Sequence, residues 1–307
     1  MPPRRARVIV FSILALWPAA QARAWTDATR TRMIRDALKV TPPALRSILL
    51  RYEKDLYRGM LDPSRHEDEE VHFQNADGRR GMGASAVVRK ESEIRAGLKS
   101  RMPFRSFTYQ MGVLAHLVAD VEFPLNASDA DPREPLYREA YRAYIEKSLD
   151  KIPFVYDRSP SKTLEAGDLR GFIMEAARRA EKNYALIGPA FNDDGTPHSK
   201  DALDERSVPF GVASLSYSHA TSDIVSVWMH LWESLNGDLE GTPYLHAPPP
   251  EKTTLPPRPK KKKPPPSVPP SPSGSPPPSS SPSPGASPSP GASPSPPASS
   301  SAIPQGA

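Results

Sequence analysis

Apolar residues recur at helical spacing through the middle of the chain. Leu45, Ile48, Leu49, Tyr52 and Leu56 follow one another at intervals of three and four, behind Thr41 and Pro42, which read as a cap and first-turn pair. That pattern predicts one amphipathic helix. The same periodicity recurs at about 84–99, 104–121, 134–149, 162–185 and 212–236, separated by loops rich in Pro, Asp, Asn and Gly. No stretch combines strict alternation with β-branched residues over the length of a strand. The pattern therefore predicts an all-α domain, a multi-helix bundle of about six to eight helices.

Both ends depart from this pattern. Arg4, Arg5 and Arg7 precede the mostly apolar run from Val8 to Trp17, and Ala22-Arg23-Ala24 offers small residues at the positions a signal peptidase reads. Residues 1–24 thus read as a signal peptide, cleaved before Trp25, because the run is well short of the roughly 20 residues that span a bilayer. The chain is expected to be exported, to a periplasmic or secreted location. It has no cysteine, so its fold rests on packing or on metal rather than on disulfides. From residue 247 the composition turns to Pro and Ser, and SPSPGA recurs; such a segment has little to bury and predicts an extended, disordered tail over 247–307. Lys260 to Lys263 within it suit either contact with an anionic cell-wall polymer or membrane surface, or a solvated spacer.

The net charge of +5 hides a division. The leader carries four Arg and no acid, and residues 247–307 carry five Lys and one Arg against one Glu, so the domain at 25–246 is left at −4. A basic face for nucleic acid is thereby disfavoured.

Candidate chemistry sits between two acidic loops, one running from Leu61 to Phe73 and one from Asn126 through Asp129 and Asp131 to Glu134. His116 and Asp120 lie four apart in an otherwise apolar helix and so project from the same face, as two metal ligands would. A buried carboxylate needs a partner, and a cation is one solution. A plain His–Asp hydrogen bond is the simpler reading of the pair alone.

The order of residues adds to this. Trp25 after a leader, Asp62 and His72-Phe73 in one loop, His116-x-x-x-Asp120 followed by Pro124, and a last helix with Asp223, Trp228, Leu231 and Trp232 resemble the zinc-dependent phospholipase C family, whose relatives include the S1/P1-type nucleases. The resemblance covers most of 25–236 through sparse motifs. It implies that the amino group and carbonyl of a terminal Trp25 bind metal, that Asp62, His72, His116 and Asp120 hold one zinc, and that Asp120 bridges toward another. It also implies that Asp62 takes the proton of an attacking water and that the substrate is a phosphate ester, a phospholipid or a nucleotide. Zinc suits such oxygen and imidazole ligands.

Three imidazoles of the family pattern are missing. No His occurs between Trp25 and His66; Asn126 stands after Pro124 where another is expected; and Pro135-Leu-Tyr-Arg-Glu139 keeps only the acid of an H-x-x-x-E pair. Asn126 and Glu139 remain candidate ligands, and Asp129, Asp131 or His66 are possible substitutes. Two readings follow: a zinc-dependent phosphoesterase with fewer metals, or a non-catalytic cell-envelope binding protein with a remnant structural metal site.

Overall fold

The computed structural model describes residues 24–63, 69–157, 159 and 161–243. Residues 1–23 of the expected signal peptide at 1–24, the tail at 247–307 and His66 lie outside them. The chain divides into units at 1–249 and 250–307, and every described residue belongs to the first.

Helices dominate, as expected: α1 Asp27–Val40, α2 Pro43–Arg51, α3 Glu53–Leu61, α4 Gly83–Lys99, α5 Phe104–Val121, α6 Glu134–Lys147, α7 Lys162–Glu165, α8 Leu169–Tyr184 and α9 Val208–Ser234. The only pairing of strand type among the described residues is an isolated bridge, Phe191 with Pro197. No described helix is long and apolar enough to cross a membrane.

α1 is started by Thr26, whose side chain accepts from the Thr29 amide at 3.3 Å, with Asp27 in the favourable first turn. Three details correct the sequence expectation. The helix expected through residue 56 breaks at Tyr52, whose backbone leaves the helical region, giving α2 and α3. Pro42, not Thr41, caps α2, while Thr41 closes α1 by donating its hydroxyl to the Ala37 carbonyl. The helix expected over 162–185 is interrupted by Gly167 at φ +79°, after which Asp168 starts α8 by accepting from the Gly171 amide.

α5 is the axis of the bundle, and every residue from Met111 to Val121 is buried. α3 crosses it at two glycines. A Cβ on Gly59 would lie 2.0 Å from the Tyr109 carbonyl oxygen, and one on Gly112 would lie 2.1 Å from the Leu56 carbonyl oxygen. Backbone thus meets backbone without side chains between. On the opposite side α9 packs Trp228 against α5, its indole donating to the Met111 carbonyl at 3.1 Å, and Tyr217 reaches across to donate to Asp36 of α1.

Candidate metal site

Four parts of the chain meet at the C-terminal half of α5. His116 and Asp120 face inward, both essentially without solvent exposure. His72 ends a short 3-10 turn, Glu69–His72, and is fixed by the backbone around it: Gln74 donates to the Asn126 carbonyl, and Gly83 donates to the Phe73 carbonyl. Gly81, at φ +85°, allows this loop to close, since a Cβ there would lie 2.1 Å from the Phe73 carbonyl oxygen.

Three donor atoms converge. His72 Nδ1 lies 2.7 Å from Asp120 Oδ2, His116 Nε2 lies 3.1 Å from the same oxygen, and the two ring nitrogens are 3.3 Å apart. Tetrahedral ligands at zinc distances of about 2.0–2.1 Å stand roughly 3.3 Å from one another, which the two separations from His116 Nε2 approach, while His72 and Asp120 stand at hydrogen-bond distance. His72, His116 and Asp120 form the one cluster of His, Asp and Glu among the described residues whose ligand atoms come this close.

The ring of His116 is oriented by the α3–α5 crossing. Its Nδ1 is 2.7 Å from the Met60 carbonyl, which can only accept, and 2.9 Å from Arg30 Nη1, which can only donate; we assign the proton to Nδ1, toward the shorter contact, which leaves the lone pair on Nε2 and Arg30 Nη1 packed against the ring rather than bonded to it. A histidine that donates one N–H to a backbone carbonyl presents its other nitrogen in the form a metal takes. Burial, reinforced by the Arg30 guanidinium, lowers the pKa of His116 and so favours this neutral ring. Burial pushes the Asp120 carboxyl up, but the Arg30 guanidinium, with His116 and His72 beside the carboxyl, outweighs it and holds the group well below the usual carboxylate range. The residues therefore fit one zinc ion, provided His72 carries its own proton on Nε2.

Sequence reading missed Arg30. Its guanidinium is 1% exposed, donates from Nη2 to Asp120 Oδ1 at 2.6 Å and from Nε to the Trp25 carbonyl at 3.1 Å, and places Nη1 2.9 Å from His116 Nδ1. Two oxygens that the resemblance offers to metal are thus already engaged. The signal was present: Arg30, Met33, Ile34 and Ala37 share the buried face of α1, and a charged residue in that register needs a buried partner.

The other candidates lie around this cluster. Trp25 is buried, its indole donating to the Ala119 carbonyl at 2.8 Å. Asn126 is also buried, but its amide nitrogen, not its oxygen, faces the site, donating to the His72 and Asp120 carbonyls; the oxygen accepts from Arg138 at 2.9 Å. Asp62 stands outside the group, about a third exposed, and accepts from the Tyr109 hydroxyl at 3.3 Å. Glu139 is 76% exposed and pairs with Arg142. Asp129 pairs with Arg80, and Asp131 binds Arg133 at 2.9 Å.

Beside the cluster opens a cleft of about 360 Å³. His72 and Asn126 reach it, and Arg138, Arg142, Glu134 and Glu139 line it. Arg138 binds Glu134 at 2.6 Å and also donates to the Leu125 carbonyl.

No family model and no curated protein matches this chain. Solved structures do. The alpha-toxin of Clostridium perfringens, from an avian strain, superposes with a TM-score of 0.52 at 15% identity, over 71% of this chain and 66% of the toxin. The alpha toxin of Clostridium absonum gives 0.54 at 12% identity, over 70% and 67%. The fold is that of the clostridial alpha-toxins. The all-α architecture expected from the sequence resemblance is therefore the one found. The alpha-toxin fold is shared over about two thirds of those proteins' length.

A second buried polar group joins the C-terminal end of α5 to α8 and α9. Arg179 of α8 donates to Glu122 and to Asp223 of α9, both at 2.5 Å. Burial raises the pKa of both acids, carrying Asp223 to about 6, with mutual repulsion adding to the shift of Glu122. A carboxyl whose folded pKa is raised holds its proton in the native state after the unfolded chain has lost it. Its contribution to stability is full below about pH 4 and is lost as pH rises through about 6. Asp223→Asn should therefore flatten the pH dependence of the melting temperature between about pH 4 and 6. Thermal melts of both proteins across that range check it, and an unchanged slope would refute the assignment.

Proposed function

We propose that the chain is an exported, zinc-dependent hydrolase of phosphate esters with a single metal. The observation that carries this is the convergence of His72 Nδ1, His116 Nε2 and Asp120 Oδ2 beside a cleft whose wall carries Arg80, Arg138 and Arg142 among acidic residues. Zinc, if held by His72, His116 and Asp120, would supply Lewis acidity and a water activated for attack on phosphorus. Three protein residues would hold the ion, the ligand number of catalytic rather than structural zinc.

The chain's own residues supply the rest. Met60 holds the His116 ring in register, Arg30 keeps Asp120 ionised, and Arg138 and Arg142 offer donors to phosphate oxygens entering the cleft. The role of proton acceptor for Asp62 comes from the resemblance to zinc-dependent phospholipase C. The alpha-toxin fold and the cleft support a phospholipid or nucleotide ester as substrate. Export by the leader, and wall or membrane contact through Lys260 to Lys263, belong to the same proposal.

The test uses protein beginning at Trp25. Elemental analysis should find about one zinc per chain, and hydrolysis of a chromogenic phosphodiester and of phospholipid vesicles should stop with chelator and return with zinc. Absence of both bound metal and chelator-sensitive turnover would overturn the proposal. A second reading, a non-catalytic envelope protein, is favoured by one observation, the engagement of Asp120 Oδ1 and the Trp25 carbonyl by Arg30. It predicts bound zinc without turnover.

A further inference from the structure

Arg30 is placed as an ion would be placed. Its guanidinium lies inside the protein, on no surface, and joins the N-terminal segment through Trp25, its own helix α1, and α5 through Asp120, with the His116 ring packed beside it. Such a group is tolerated in the interior only because acceptors surround it. The charge balance is then decisive. Asp120 contributes the one carboxylate of the cluster and Arg30 contributes one positive charge, so the site is neutral before any ion arrives. Oδ1 of Asp120 is spoken for, and what remains is the set Oδ2, Nε2 and Nδ1, enough for one ion. On the adjacent wall Arg138 does the same for Asn126, Glu134 and the Leu125 carbonyl.

We infer that Arg30 is a resident cation of this site: it ties Trp25 to Asp120 without metal, limits the cluster to one divalent ion, and weakens the hold on that ion. The domain then folds with its site assembled whether or not zinc is present. The weakening follows from charge, since a fixed positive group on the far oxygen of the same carboxylate repels a divalent ion and competes for the electron density it needs. Nothing here depends on hydrolysis.

The experiment compares wild type, Arg30→Gln and Arg30→Lys in the full processed chain, using zinc alone as probe. Zinc is titrated against a chromophoric chelator, and melting temperature is recorded in chelator and in excess zinc. Wild type should bind no more than one zinc per chain, and its melting temperature in chelator should lie within about 2 °C of the value with zinc. Arg30→Gln should melt lower in chelator, recover with zinc, and bind zinc at least about tenfold more tightly. Arg30→Lys should keep the chelator-insensitive melt. Should Arg30→Gln fail to fold without zinc, the wild-type stoichiometry and the Arg30→Lys melt decide. Two or more ions at the wild-type site, or a wild-type melt that falls in chelator as far as that of Arg30→Gln, would overturn the inference. No zinc on wild type but a clear gain in Arg30→Gln would support it while removing the single-zinc hydrolase.

Discussion

Asp120→Ala should cost the domain about 3–5 kcal/mol, because removing one partner of a buried pair leaves the other charge without compensation. Arg30 has a single carboxylate within reach, Asp120 Oδ1 at 2.6 Å, and both groups are about 1% exposed. Its other contacts, the Trp25 carbonyl and a neutral imidazole, cannot balance a full positive charge. In a domain of this size the loss corresponds to a fall in melting temperature of roughly 6–20 °C. The pair can also be removed together. Arg30→Met with Asp120→Ala should recover much of the loss, because apolar replacement of a buried ion pair is often neutral or better. The double-mutant cycle, measured by urea denaturation, then gives a coupling of opposite sign to the single losses. Additive single and double mutants would show that the two groups do not act as a unit.

Gly112→Ala should destabilise the fold by about 1–3 kcal/mol or more, although alanine is the better helix former. The added methyl would sit 2.1 Å from the Leu56 carbonyl oxygen and 2.8 Å from the Met60 amide nitrogen, atoms of backbone that cannot swing aside. α3 must move off α5. Because the Met60 carbonyl holds His116 Nδ1, the shift also reaches the cluster, and zinc affinity should fall together with stability. Gly211→Ala is the control: it lies in α9 with nothing within 4 Å, so it should raise stability by about 0.4–1 kcal/mol. Equal behaviour of the two glycines would contradict the close crossing.

Much of this fold is written in local pattern. α5 runs over 104–121 as the periodicity says, since thirteen of its residues are buried and the apolar positions are nearly continuous. Breaks inside otherwise periodic stretches were less legible. At Tyr52 no Gly or Pro marks the turn, and the chain bends because α3 must lie against α5, a tertiary demand that propensity does not carry. At 166–168 the signal was local, a glycine with positive φ followed by an Asp cap.

The site divides the same way. His116 and Asp120 were readable from i,i+4 spacing, and His72 only through the resemblance in residue order. Asp62 and Glu139 share that ordering, but the structure leaves them outside the cluster, one paired through Tyr109 and the other through Arg142. Order along a chain says nothing about which way a side chain at a helix end will turn. Arg30 and Arg138 were hidden by residue type, because arginine is ordinarily a surface residue. Each nonetheless occupies the buried register of its helix, Arg138 one turn beyond buried Glu134.

The bonds that close the site also set an order of events in folding. Trp25 to Ala119 and Arg30 to Asp120 span 94 and 90 residues of chain. Closing such loops costs entropy that helices formed within a few residues do not. Arg30 is synthesised long before its carboxylate exists, and α5 must be complete before the guanidinium can leave water. The first helix made is therefore the last to be locked in place.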